Sequence, residues 1–414
     1  MLLAALLQLG SILFPNSGSP QAQAPFLRGV LLLHNFAYPQ AKDAFVEAQK
    51  IDPNFALAYW GEAMTYNHPL WTQVDVDKGR RAIDRAKDLH MTARERGYIE
   101  AVQALYGAGE RKQRDYAYEK AMERLARSNP DDVEAQLFWA LSILGSREWH
   151  QLDERRSIAA AAILEPLFPT HSDHPGVLHY LIHAYDDPIH APLGLRAARL
   201  YAKVASSAPH ALHMPSHIFL QLGMWEDAAR SNEAAYALSK EWGEPDMHSL
   251  SWLQYVYLQQ RRYADAKRLI GEAGPHNRET LQLRYAVETG DYSFDFTRPV
   301  GQALRAIAEK RFDDAQKAID KAEQPDADEL RALLASARGN MDEALKYAQS
   351  AVQIEERGDV PSGPPEDFKP AHELYGELLL KAGRKKEAAE QFQMSLLRTP
   401  NRAASLAGAQ RVSQ

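Results

Sequence analysis

The chain has 414 residues, 45% of them hydrophobic, enough for one large core or several stacked ones. A net charge of −7 and a pI near 6.1 argue against nucleic acid or an anionic membrane surface as the main partner. There is no cysteine, which excludes disulfides, thiolate metal sites and cysteine nucleophiles.

The chain opens on LLAALLQLGSILF (2–14), apolar over the length of a signal-peptide core and too short to span a bilayer. QAQA (21–24) has the small residues of a cleavage region, but no Lys or Arg precedes the apolar run and Pro25 follows directly. Residues 1–24 therefore read either as an apolar arm packed on the first helices or as the remnant of an export signal. Export would place the protein in the periplasm or outside the cell; without it the chain is cytoplasmic. No other segment is suited to stable membrane insertion.

From residue 25 onward Ala, Leu, Glu, Arg and Gln recur every three or four positions, and alternating strand patterns are weak. The helical stretches also repeat. Gly29, Ala41, Phe45, Ala48 and Pro53 are separated by steps of 12, 4, 3 and 5, and Gly376, Ala388, Phe392, Ser395 and Pro400 by the same steps. This is the spacing of a tetratricopeptide repeat, a helix–turn–helix unit of about 34 residues. In such a unit the glycine lets two helices approach, the phenylalanine fills the gap between layers, and the proline ends the second helix. Partial copies lie at 223–235, 261–273 and 339–351, and SNPDDVEAQLFWALSIL (128–144) shows a helix boundary followed by a new first helix. Residues 25–410 are thus expected to form a single all-α domain. Its form is a TPR-like α-solenoid, a right-handed superhelix of about ten antiparallel helix pairs. GPHNRET (274–280) and RGDVPSGPPEDFKP (357–370) read as loops within it.

Repeat regularity fails in one window. Eight of the fifteen histidines fall within residues 171–217. HYLIH places His179 and His183 on one helix face, with Asp186 continuing the stripe, and HMPSH places His213 and His217 on another, with His210 three residues before. His179 and His213, like His183 and His217, are 34 residues apart. Equivalent positions in adjacent repeats stack side by side, roughly 10 Å apart, so the four rings can converge on one ion. Imidazole with carboxylate and no thiolate suits zinc, copper, nickel or iron, of which zinc or copper is favoured. His34, His68 and Asp186 are possible further ligands, and Glu62 would be the general base for a metal-bound water. Asp186, Asp187 and Tyr185 are candidates to fix the ring tautomers. The competing explanations are hydrogen-bonded core histidines and, for Glu62 with Trp60 and Trp71, helix packing. His248 and His372 with Glu373 are weaker candidates, and His90, His150 and His276 read as solvent histidines. Phosphate-binding, HExxH and GxSxG motifs are absent.

Five stretches resemble a widespread bacterial branch of tetratricopeptide-repeat proteins. They are FPNSGSPQAQAPFLRGVLLLHNF (14–36), ALAYWGEAMTYNHPLW (56–71), HPGVLHYLIHAYDDPIHAPLGLRAA (174–198), HMPSHIFLQLGMW (213–225) and KPAHELYGELLLKAGRKKEAAEQF (369–392). The resemblance implies an exported, all-helical repeat protein with a recurring His/Glu/Asp set. It also implies that residues 14–24 belong to the mature sequence, which weakens QAQA as a cleavage site. Members of the wider repeat class are mostly peptide-binding scaffolds.

Two functions are therefore expected from the sequence. One is a metal-binding solenoid with a His-rich site on its concave face, as a binder or as a hydrolase or oxidase. The other is a protein-interaction scaffold with a peptide in the groove. The occupant of the cavity is a small molecule or a peptide. A small-molecule enzyme using His and Glu without metal is a third class.

Overall fold

The computed structural model describes residues 8–146, 154–358, 361–365 and 368–413. His150 and residues 1–7 of the apolar arm lie outside them. The chain divides into two compact units, Met1–Asp186 with Pro192–Ile218, and Asp187–Ala191 with Phe219–Gln414.

The described residues are helical almost throughout, as their three-to-four-residue periodicity requires. In the first unit the helices are α1 (Gln23–His34), α2 (Tyr38–Ile51), α3 (Ala56–Met64), α4 (Val76–Asp84), α5 (Ala93–Leu105) and α6 (Arg111–Ser128). They continue with α7 (Val133–Gly145), α8 (Glu154–Leu164), α9 (Pro175–Ala184), α10 (Ala191–Val204), α11 (Pro209–His213) and the start of α12 (Pro215–Gln221). A two-residue antiparallel ladder joins Asn67–His68 to Gln73–Val74. The second unit holds α13 (Trp225–Glu241), α14 (Met247–Gln259), α15 (Tyr263–Glu272), α16 (Pro275–Thr289), α17 (Pro299–Ala308) and α18 (Phe312–Ile319). It ends with α19 (Asp326–Ala337), α20 (Met341–Glu355), α21 (Ala371–Lys381), α22 (Lys385–Arg398) and α23 (Ala403–Ser413). No helix of the described residues is long and apolar enough to cross a membrane.

Along much of each unit a helix packs on its successor and on the next but one. In the first unit α1 meets α2 and α3; in the second α21 meets α22 and α23. This nearest-neighbour pattern is how repeat units bury a face that none could bury alone. The glycines and phenylalanines of the sequence repeat carry it. A Cβ on Gly29 would come within 2.7 Å of the Phe45 ring, and one on Gly61 within 2.3 Å. Phe392 sits in the same way between Gly376 and Gly408, at 3.0 and 2.3 Å.

One turn between helices recurs along the chain. Gly223, Gly339 and Gly383 take left-handed backbone there, and so do Arg261 and Lys310. Phe36, between α1 and α2, takes it as well, at φ 55°. In every case the next N–H reaches back five residues, as Ala37 does to the Leu32 carbonyl and Arg384 to that of Leu379, both at 2.9 Å.

Residues 357–370 lie between α20 and α21, as expected of a loop; 359–360 and 366–367 lie outside the described residues. GPHNRET is not a loop. It opens α16, because Pro275 stands at the first helical position, where a missing N–H costs nothing.

Candidate metal centre

Helix α9 carries the first histidine pair. His174 caps its start by accepting the Gly176 N–H on Nδ1 at 3.1 Å, Pro175 takes the first position, and the helix stops at Ala184. Its apolar residues are buried, and it packs on α1, α7 and α8. The long-range contact with α1 brings the C-terminal end of that helix to the histidines.

His179 is fully buried. Its Nδ1 lies 2.7 Å from the His34 carbonyl. A carbonyl can only accept, so Nδ1 carries the proton and Nε2 presents a lone pair. That lone pair faces His183 Nε2 at 3.0 Å and His210 Nε2 at 3.1 Å. All three ligand atoms lie within 4.8 Å of one another. An ion about 2.0–2.1 Å from two nitrogens so spaced would see them roughly 95–100° apart, which imidazole-bound transition metals accept. Desolvation holds His179 down to about 3, so its ring is neutral and able to ligate.

Aromatic rings wall this point. Phe36 meets His179 edge-on at 4.3 Å and stacks on His210 at 5.4 Å. Tyr201 stacks on His179 at 5.2 Å, with its hydroxyl donating to Asn35 at 2.8 Å. Trp71, 38% exposed, stands 5.6 Å from His210.

The second pair lies beside it. Pro215 cannot continue α11, so HMPSH is split between α11 and α12. His213 Nε2 and His217 Nε2 are 3.1 Å apart. Asp186 accepts from His217 Nδ1 at 2.6 Å, which again leaves Nε2 as the inward lone pair. This pair falls outside the His179 group. The nearest rings of the two sets are His183 and His217, 6.0 Å apart, and His210 and His213, 6.2 Å apart. The four rings picked out by the 34-residue spacing are thus divided: His179 and His183 join His210, and His213 stays with His217.

The other sequence candidates are placed as follows. The His34 ring turns away from the cluster, and only its carbonyl reaches it. Its Nε2 bonds Glu134 at 2.7 Å, its Nδ1 meets the Tyr180 hydroxyl at 2.8 Å, and His174 bonds the same carboxylate at 3.1 Å. Burial lowers the His34 imidazole's pKa. Burial alone would raise Glu134; His34 and His174 outweigh it and hold the carboxyl well below its usual range. This buried set is itself a group of metal-ligating types, although each of these three bonds is already a satisfied donor–acceptor pair. His68 stacks on Tyr38 at 3.9 Å and points its nitrogens at Gln73 and the Thr65 carbonyl. Glu62 accepts from Gln49 at 2.6 Å and pairs with Arg85. Asp187 binds the N–H groups of Ile189 and His190 and the His190 ring at 2.8–2.9 Å, ending the helical run before Pro188. In the second unit His248 lies in the first turn of α14, His372 meets Gln391 at 2.8 Å, and Glu373 is taken up by Arg402.

Sequence reasoning left His210 out of the ligand set, and Glu134 and His174 out of account. The signal for His210 was the PHALH spacing with a proline just after it.

The chain matches no protein-family profile and no curated protein. Among solved structures it is similar to the Cut9–Hcn1 heterotetramer of APC/C, at 13% identity over 97% of this chain and 78% of that one, TM-score 0.39. It is similar to yeast Tom70 at 12% identity over 95% and 88%, TM-score 0.32. The P58(IPK) TPR domain follows at 14% identity over 95% and 97%, TM-score 0.28. A helical-repeat likeness of this order is silent on function.

Proposed function

We propose that this protein is a binding scaffold of stacked helix pairs whose first unit holds a transition-metal ion at His179, His183 and His210. The observation that carries the metal reading is the convergence of three Nε2 atoms on His179, whose outer nitrogen is fixed by a backbone carbonyl. One lone pair on His179 can accept one good hydrogen bond, yet two nitrogens stand within 3.1 Å of it. A cation serves all three lone pairs at once. Three imidazoles and no thiolate favour copper or zinc over softer or harder ions.

The test uses the full chain, stripped with chelator, dialysed and titrated with Cu2+. The expected result is saturable uptake with quenching of Trp71 fluorescence, and loss of that quenching in Trp71→Phe. A chain that takes up no metal, with unchanged melting, removes the ion and leaves the scaffold.

The scaffold reading rests on the repeat architecture itself, whose usual use is to present helix faces to a peptide. Helices α22 and α23 leave Met394, Leu397 and Leu406 exposed. Panning a random-peptide library on the full chain should enrich a sequence family. Failure to enrich any would remove this part of the proposal.

A further inference from the structure

We infer that His213 and His217 hold a second metal ion beside the first, so that the first unit carries a two-ion centre. The inference deepens the reading of the His179 triad as a metal site and rests on it.

The two sites are built alike. In the triad an oxygen acceptor, the His34 carbonyl, takes the outer N–H of His179 and turns Nε2 inward. In the pair the Asp186 carboxylate takes the outer N–H of His217 and turns its Nε2 inward, toward His213 Nε2 at 3.1 Å. Such backing of a ligating imidazole fixes the tautomer and raises the basicity of the inner nitrogen. Here the backing group is itself an anion, which adds local negative charge suited to a divalent cation. The spacing between the paired nitrogens matches that in the triad, so one ion radius fits both.

A single ion cannot gather all five rings. His213 and His217 fall outside the triad's 4.8 Å grouping. The ring separations of 6.0 and 6.2 Å across the two sets instead place two ions as neighbours. Water or a small oxyanion is the class of ligand that two such ions would share.

The experiment counts ions on the full chain. Wild type, His213→Gln/His217→Gln and His179→Gln/His183→Gln are stripped, loaded with Zn2+, dialysed and measured by elemental analysis. The expected counts are two ions for wild type and one for each double variant. One ion in wild type and still one in His213→Gln/His217→Gln overturns the second site and leaves the triad standing. Two ions in wild type and two in that variant overturn it as well, because the second ion then lies elsewhere. No ion in wild type overturns both readings. A folded His213→Gln/His217→Gln variant with no ion points to one shared ion and overturns the two-ion centre. Should a variant fail to fold, the wild type loaded with Cu2+ decides the matter. Neighbouring Cu2+ ions give a spin-coupled resonance spectrum with a half-field signal, whereas spectra of isolated ions only would overturn adjacency.

Discussion

Replacing His179 with alanine is expected to weaken transition-metal binding by more than about 100-fold, since disturbing only the groups that back a ligand already costs about 10–100-fold. His179 is the vertex of the triad: both short nitrogen–nitrogen separations are measured from its Nε2. Without it His183 and His210 remain, but the atom that joins them is gone. The substitution also leaves the His34 carbonyl without its donor in a dry site, which costs about 1–3 kcal/mol, and opens a cavity. Affinity by calorimetry must therefore be read beside the unfolding midpoint. A purely structural His179 would lower the midpoint and leave the affinity of the folded protein unchanged, and that outcome would sink the metal reading. His68→Ala is the matched control. Its ring serves Tyr38, Gln73 and the Thr65 carbonyl, so binding should not change.

The second large effect belongs to the other unit. Arg402 is 2% exposed and grips Glu373 with two bonds, at 2.8 and 3.0 Å, while pairing with Glu288 at 2.6 Å. Ser405 and Lys369 also contact the Glu373 carboxylate, at 2.6 and 3.8 Å. Arg402→Met removes the central cation and keeps most of the volume. The cost should be about 3–5 kcal/mol, because the partner carboxylates are left desolvated. Denaturant unfolding of the full chain measures it.

The pH dependence has opposite signs in the two proteins. In wild type, burial alone would raise Glu373, but Arg402 and Lys369 overcome it and hold its carboxyl below the usual range. A lowered carboxyl stabilises the fold fully above its unfolded value of about 4.3, and the contribution is lost as pH falls through the folded value. In Arg402→Met the principal counter-charge is gone, burial dominates, and protonation becomes favourable. The gap between variant and wild type should therefore narrow toward low pH. A gap that stays constant from pH 7 to pH 4 would contradict the role given to this arginine.

The scaffold was legible because repeat physics is local. Gly29 with Phe45, and Gly376 with Phe392, stood at fixed steps in the sequence, and the structure seats each phenylalanine between its glycine and one from the following layer. The histidine site was only half legible. Helical spacing put His179 beside His183 and His213 beside His217, and both pairs meet. Equal 34-residue spacing promised a single centre, but α11 and α12 are two short helices divided at Pro215 rather than one regular repeat helix. That break leaves His210 with the α9 pair. Glu134 was invisible for another reason: it lies 100 residues from His34 and 40 from His174, and only packing of α7 on α9 and of α9 on α1 brings them together.

Phe36 occupies a turn position that glycine fills in three other helix pairs. Left-handed backbone costs a side-chain-bearing residue about 1–2 kcal/mol, so a bulky ring there is a standing local penalty. The same ring closes over His179, His183 and His210. Trading it for glycine would relax the hairpin and admit solvent to His179, restoring the hydration that favours the charged form of its ring. One awkward residue thus ties the comfort of a hairpin to the dryness of a nitrogen.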